Sequence, residues 1–329
     1  MPECKIGVVI HTKLRDQLFT KEDMERLEWL GEVVWTGSPD PLPVDQAVAL
    51  LSDCDVGIGS WGTPGPTSEL LPQCPKLRLW VHAAGSVKKF FGPHLKNRDM
   101  LIASCAPAIA DNVAEFTLGL LTIGLKRALP NAAANRKGKA PKPEKSLPLG
   151  SSTIGVVGAS QVGRRVLDLL KSFGTNVLLY DPYCSEDEAA ELGAEKCEDL
   201  TELCSRSDAV TLHTPATPET EKMMGSEQFE AMADDAILVN TARGKCVDEE
   251  ALIAELKKGR LFAFLDVTDP EPADDDSPLR KLDNVVLTSH IAGNADIKIG
   301  RQAVDDVERW LNGKRPLMAP TESDLHRLA

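Results

Sequence analysis

Aromatic residues are scarce in this chain, only 5% of 329. Its cores must therefore be built mainly from Leu, Val, Ile and Ala. A C-x-x-C pair is missing among Cys4, Cys54, Cys74, Cys105, Cys184, Cys197, Cys204 and Cys246. That spacing argues against zinc, and the scatter of the cysteines inside apolar runs against disulfides, so buried reduced thiols are expected, with no metal. There is no excess of positive charge either. A formal net charge of −13 speaks against a nucleic-acid partner, whose phosphates require clustered Lys and Arg. The one basic stretch, from Arg136 to Lys145, is short and interrupted by proline, and reads as a solvated loop. No apolar run approaches a membrane span, and Met1–Lys5 leads into an apolar strand without the h-region of a signal peptide. A cytoplasmic protein without a membrane partner is the expectation.

What is present is ample apolar material, 42% of residues against 26% charged, in a chain long enough for two domains. Short apolar runs alternate with amphipathic segments. Lys5–His11 and Glu32–Trp35 read as strands and Lys21–Leu30 as a helix between them. The stretches 45–51, 55–60, 68–71 and 77–83 continue the series. A long helix is expected over Ile109–Leu129, starting near Asp111 and Asn112. The Pro- and Lys-containing stretch Pro130–Gly150 then reads as a loop or linker between domains. A second βα series runs from Thr153 to about His290, and a last helix covers Asn294–Asn312. Alternating β and α elements imply an α/β fold with parallel sheets covered by helices on both faces.

The second series opens with a strand, Thr153–Val157, then the turn Gly158-Ala159-Ser160-Gln161-Val162-Gly163, a helix to Phe173, and a strand Asn176–Tyr180 that ends at Asp181. This is the order of a dinucleotide-binding unit. Gly158 permits the tight turn, Gly163 lets helix and strand pack closely, and the N–H groups near Gln161 and Val162 would hold a pyrophosphate. Ser160 stands where the second glycine of the pattern belongs; its hydroxyl is a possible donor to a phosphate oxygen. Asp181 would accept hydrogen bonds from the ribose hydroxyls and repel a 2′-phosphate, so the cofactor expected is NAD rather than NADP.

Three further segments each place a charged or titratable residue past an apolar strand: Val239–Gly244 with Arg243, Phe264–Pro272 with Asp266 and Glu271, and Val285–Gly293 with His290. In open α/β sheets that edge binds ligands. Together with Asn112-Val113-Ala114-Glu115, Leu212-His213-Thr214-Pro215 and Pro218-Glu219-Thr220, these segments resemble the D-isomer-specific 2-hydroxyacid dehydrogenase family over nearly the whole chain.

The resemblance implies a mechanism. Arg243 would hold the substrate carboxylate and polarise the 2-oxo group, His290 would exchange a proton with that oxygen, and Glu271 would accept a hydrogen bond from the other ring nitrogen. A carboxylate beside an imidazole favours the protonated ring. Asp266 would contact the nicotinamide carboxamide, and Thr214, Pro215, Thr220, Thr241 and Ala242 would line the cofactor groove. Ala84 and Gly85, in the loop Ala83-Ala84-Gly85-Ser86, would offer backbone N–H groups to the substrate. That loop lacks the family's more usual glycine pair, and Ser289 precedes His290 where proline is commoner. His11, His82, His94, His213 and His326 have no comparable company, although His82 lies near the expected substrate loop.

In architecture, the resemblance implies a Rossmann-type NAD domain, residues 112–291, inserted into a flavodoxin-like substrate domain formed by 1–111 and 292–329. It further implies a homodimer and a small 2-hydroxy or 2-oxo acid substrate resembling glyoxylate, hydroxypyruvate or pyruvate. The rival is an NAD-sensing binding protein of the same fold, akin to a transcriptional co-repressor branch that keeps the same three residues.

Overall fold

A computed structural model describes residues 4–96, 98–139 and 146–327, the last three without their side chains. The chain divides into two compact units, one running to Ile109 and resuming at Asn294, the other Ala110–Gly293.

In the first unit, β1 (Lys5–Val8) leads to the helices α1 (Thr12–Leu18) and α2 (Lys21–Leu30). Then come β2 (Glu32–Trp35), α3 (Val44–Leu51), β3 (Val56–Gly59), β4 (Leu79–His82) and β5 (Leu101–Ser104). Thr20 starts α2 with a capping box, its hydroxyl accepting from the Asp23 N–H while the Asp23 carboxylate accepts from the Thr20 N–H. All strand pairs are parallel, in the flavodoxin-like order β2-β1-β3-β4-β5. Alternate residues face opposite cores: Ile6, Val8, Val56, Ile58, Leu79 and Val81 join one cluster, while Val9, Trp80 and Ile102 join the other.

The second unit begins inside α4 (Ala106–Leu125) and continues with α5 (Ala128–Arg136), β6 (Thr153–Val157), α6 (Gln161–Lys171), β7 (Asn176–Tyr180), α7 (Glu186–Glu191) and β8 (Glu195–Lys196). There follow α8 (Leu200–Arg206), β9 (Ala209–Leu212), α9 (Ser226–Ala231), β10 (Ile237–Asn240), α10 (Glu249–Lys257), β11 (Phe262–Leu265) and β12 (Val285–Leu287). The seven strands are again parallel, ordered β12-β11-β10-β9-β6-β7-β8. Counted from β6, this is the Rossmann order, with its reversal point between β6 and β9. The fold is thus α/β, with two doubly wound parallel sheets. The last helix, α11 (Ile297–Leu311), returns to the first unit, where Ile299, Ala303, Val304 and Val307 join the core.

Several expectations need correction. The long helix starts at Ala106 rather than near Asp111, because Pro107 sits in its first turn, where no intrahelical N–H is needed. Asp111 and Asn112 are interior to it, and Asp111 pairs with Arg165 at 2.7 Å. The stretch Pro130–Gly150 is not simply a loop. Pro130 lies in the first turn of α5, and the following Asn-Ala-Ala-Ala-Asn-Arg favours helix through alanine. Nor does it lie between the two compact units; it belongs to the second. Arg136–Lys139 are exposed, as a solvated stretch requires, while 140–145 lie outside the described residues. Finally, α4 is long and apolar enough to cross a membrane by length and composition, contrary to the sequence reading, yet half of that window is buried inside the protein. Its Ala114, Leu120, Leu121 and Leu125 pack in the core beneath β6 and β10. Strand β5 and helix α1 escaped the sequence reading, and Leu71–Gln73 is a short 3-10 turn. All eight cysteines are free and buried.

Candidate active site

The turn after β6 is shaped by what its glycines must avoid. Gly158 has φ +97°, a conformation costly for any residue with a Cβ. A Cβ on Gly163 would lie 2.0 Å from the Gly158 carbonyl oxygen, so helix α6 can approach the strand only because position 163 has none. Ser160, in contrast, has an extended backbone that does not require glycine. Its Oγ caps α6 by accepting the Gly163 N–H at 3.4 Å. The serine that departs from the pattern thus has a local use, and it leaves Gln161 and Val162 in the first turn of an eleven-residue helix, where N–H groups favour an anion. Asp181, just past β7, accepts the Ala159 N–H at 2.7 Å through Oδ2 and the Tyr183 N–H at 2.8 Å through Oδ1. It thereby ties the end of β7 to the glycine turn. The first turn of α7 beyond it carries Glu186, Asp187 and Glu188, a poor setting for a 2′-phosphate. A cradle that a Cβ would fill, a helix N-terminus and an acid at the second strand's end fit a dinucleotide.

The segment after β9 lies against this turn. His213 is buried, its Nε2 3.1 Å from the Thr211 hydroxyl and its Nδ1 without a partner among the described residues. Burial pushes its pKa down to about 3, so the ring is neutral. Thr214 and Thr220 make local contacts: the Thr214 hydroxyl is 3.5 Å from the Cys246 sulfur, and the Thr220 hydroxyl donates to the Pro215 carbonyl at 2.6 Å. Thr241 shares a buried hydrogen bond of 2.9 Å with Thr117 on α4.

Past β10, Asn240 builds the turn that carries Arg243. Its Oδ1 accepts the Ala242 N–H at 3.0 Å, and its Nδ2 donates to the Arg243 carbonyl at 2.9 Å. Sequence reasoning gave Asn240 no role, although it lies within the Arg segment; an amide three residues before the arginine was the available signal. Arg243 itself is half-buried and donates to the Ala242 carbonyl at 2.6 Å. Burial lowers its pKa, with Cys246 and Glu271 opposing. Gly244 packs directly on the peptide joining Thr268 and Asp269, where a Cβ would come within 2.1 Å of the Thr268 carbonyl.

His290 and Glu271 meet as the sequence suggested. His290 Nδ1 lies 2.5 Å from Glu271 Oε1, and the two side chains remain 47% and 40% exposed, open enough to reach a ligand. Glu271 stands between Pro270 and Pro272, each preceded by a cis peptide bond. His290 has φ +53°, a left-handed conformation that is uncommon outside glycine and concentrated at functional sites. What holds it there is Asp266, nearly fully buried just past β11. Its Oδ1 accepts the Thr288 hydroxyl at 2.6 Å and the Ile291 N–H at 2.9 Å, its Oδ2 accepts the Ala292 N–H at 2.9 Å, and its backbone carbonyl accepts the His290 N–H at 2.8 Å. No sequence signal marked Asp266 as the organiser of the histidine loop.

In the first unit, Ala84 and Gly85 follow β4. The Ala84 carbonyl accepts the Cys105 N–H at 3.1 Å, and the Ser104 hydroxyl donates to the Gly85 carbonyl. A Cβ on Gly85 would meet only the Ile109 side chain, at 3.7 Å, so packing does not require glycine there. His82 ends β4, buried and edge-on to Phe90 with ring centroids 4.9 Å apart. Burial, and then Lys89, depress its pKa to about 3.

Residues 118–292 match the model of the D-isomer specific 2-hydroxyacid dehydrogenase NAD binding domain, which makes NAD the cofactor of this unit. Among curated proteins, the chain is 34% identical over 295 residues to a D-3-phosphoglycerate dehydrogenase of Methanocaldococcus jannaschii, covering 88% of this chain but 55% of that protein. It is 33% identical over 289 residues to a glyoxylate reductase of Korarchaeum cryptofilum, covering 85% and 86% respectively. The chain thus spans about half the length of the first of these relatives and most of the second. In fold it is similar to the apo D-mandelate dehydrogenase of Rhodotorula graminis, with TM-score 0.79 and 24% identity over 98% of both chains. With the glycine cradle, the acid after β7 and the ordered Arg, Glu and His segments, these matches show that the chain belongs to the D-isomer-specific 2-hydroxyacid dehydrogenase family.

Proposed function

We propose that the chain transfers a hydride between NAD(H) and a small D-2-hydroxy acid or its 2-oxo counterpart, with Arg243, Glu271 and His290 acting on the substrate. The observation that carries this is the 2.5 Å pair of His290 Nδ1 and Glu271 Oε1, in the same unit as the dinucleotide cradle. In reduction, a 2-oxo acid takes up one hydride and one proton to give the 2-hydroxy acid. Bound NADH supplies the hydride. Arg243 holds the substrate carboxylate and polarises the 2-oxo group with its fork of donors. Glu271 engages Nδ1 of His290, which leaves Nε2 to give the 2-oxo oxygen its proton, or to take that proton back in oxidation. Negative charge builds on this oxygen only in the transition state, so a cation and an acid aimed there lower the barrier.

Around the cofactor, Gly158, Ser160, Gln161, Val162 and Gly163 surround the pyrophosphate, and Asp181 takes the ribose hydroxyls. Thr214, Pro215, Thr220, Thr241 and Ala242 line the groove. Asp266 would reach the nicotinamide carboxamide through the capacity left on Oδ2, which accepts the Ala292 N–H. Ala84 and Gly85 would offer backbone N–H groups to the substrate carboxylate, giving the first unit the substrate role. The name of the Korarchaeum relative favours glyoxylate among the small acids. A cytoplasmic homodimer completes the reading. The free buried thiols suit a reducing compartment, and light scattering tests the dimer.

The test is a panel of 2-oxo acids (glyoxylate, hydroxypyruvate, pyruvate and bulkier ones) with NADH and with NADPH, following loss of the reduced cofactor. Preferential oxidation of NADH by one acid is expected. Tight NADH binding with no acid reduced would reject the reading in favour of an NAD-sensing binding protein.

A further inference from the structure

The peptide joining Thr268 to Asp269 is gripped from several sides, two residues before Glu271. Gly244 lies against it so closely that a Cβ there would come 2.1 Å from the Thr268 carbonyl carbon and 2.7 Å from the Asp269 nitrogen. The Asp269 N–H donates to Glu249 Oε1 at 2.7 Å. The Thr268 hydroxyl reaches forward to the Pro270 carbonyl at 2.7 Å. Glu249 is the first residue of α10, a helix fixed by its cap Asp248, whose carboxylate accepts the Ala251 N–H at 3.3 Å. The resemblance gives Glu249 no role, and it touches neither His290 nor Arg243 through any hydrogen bond among the described residues.

We infer that Glu249 is a positioning residue for the acid–base pair: by holding the Asp269 N–H it sets the loop from which Glu271 reaches His290. The inference rests on the proposed roles of Glu271 and His290. Its physical basis is the short reach of the contact it protects. Oε1 of Glu271 sits at hydrogen-bond distance from Nδ1 of His290, and a displacement near 1 Å at a reacting group lowers rates by up to about a hundredfold. Because Gly244 follows Arg243 and packs on the same peptide, the loop also keeps the carboxylate-binding arginine in register with the pair. The function needs an acceptor at a fixed reach, not a charge. A glutamine keeps the reach and an acceptor oxygen, whereas an aspartate keeps the charge and falls one methylene short.

The experiment compares Glu249→Gln, Glu249→Asp and Glu249→Ala in the full chain, with His290→Ala in parallel. Readouts are kcat, KM for the 2-oxo acid, NADH affinity by fluorescence, the pH profile of kcat/KM, and thermal midpoint. Loss of about tenfold in kcat is expected for the Asp and Ala variants, together with a moved pH limb, while NADH affinity is unchanged and Gln stays within about twofold of wild type. The reverse order, with Asp near wild type and Gln impaired, would make charge the function and overturn the inference. So would Asp and Ala variants that keep kcat and the pH profile. If His290→Ala itself retains full turnover, the proposed function fails; if it is inactive while every Glu249 variant is normal, only the positioning role fails.

Discussion

At the carboxyl ends of β4 and β9 a histidine is packed into the interior, whereas past β12 one is held out beside a carboxylate. His82 and His213 are each 3% exposed, both with a buried Nδ1 that finds no partner among the described residues. Burial without a counter-charge keeps such rings neutral down to about pH 3. His290 is half-exposed, paired with Glu271 and fixed in a left-handed backbone conformation by Asp266. The difference teaches that a histidine at a strand end becomes a candidate proton carrier through a partner and an open face, not through its place in the sheet. The glycines divide the same way. Gly163 and Gly244 are forced by backbone within about 2 Å, while Gly85 in the other unit has room for a methyl group.

The largest test of this contrast is His290→Ala, which should lower kcat by roughly 10²–10⁴-fold, the usual worth of a general acid, with NADH affinity preserved. His213→Gln should leave kcat far less affected; equal losses would erase the distinction between presented and packed histidines. Next, Asp181→Ala should weaken NADH binding about ten- to a hundredfold and raise the NADPH to NADH ratio of kcat/KM, since its proposed role is to accept from the ribose hydroxyls and to repel a 2′-phosphate. A persistent preference for NADH would assign that discrimination elsewhere, with the acidic first turn of α7 the nearest alternative.

Gly163→Ala sharpens the glycine comparison. Its methyl meets the Gly158 carbonyl and should cost about 1–3 kcal/mol of stability, as overpacking does. Gly85→Ala should stay within about 0.5 kcal/mol. Urea unfolding of both variants decides whether the two loops differ as stated.

Acid stability tests the packed histidines in a different way. His82 and His213 have folded pKa values near 3 against an ordinary 6.5. Between those values the unfolded chain binds protons that the folded chain refuses. Stability therefore falls as pH drops through about 6.5, and the loss is complete near pH 3. The urea midpoint should decline between pH 7 and pH 5, with a shallower decline in His213→Gln.

Much of this was legible in the chain itself. Apolar alternation marked most strands, and Gly158, Gly163 and Asp181 marked the dinucleotide turn. What was not legible has physical causes. Pro130 reads as a helix breaker because only its position in the first turn makes it harmless. The helix expected to start near Asp111 and Asn112 has already begun at Ala106, with Pro107 in its first turn. Ser160 departs from the glycine pattern, and the Gly163 N–H that its Oγ accepts comes within reach only once the turn is folded.

The amino-acid sequence by itself determined the α/β alternation, the cofactor turn, the family, and the candidate set Arg243, Glu271 and His290. Those properties depend on local spacing and side-chain chemistry, which a chain carries whether or not it is folded. Tertiary structure alone decided that the Asp266 carboxylate holds the loop of His290 and that Gly244 and Glu249 grip the peptide before Glu271. Such contacts join residues about twenty or more positions apart across β10, β11 and β12, and their partners exist only once parallel pairing has brought the carboxyl ends of those strands to one edge.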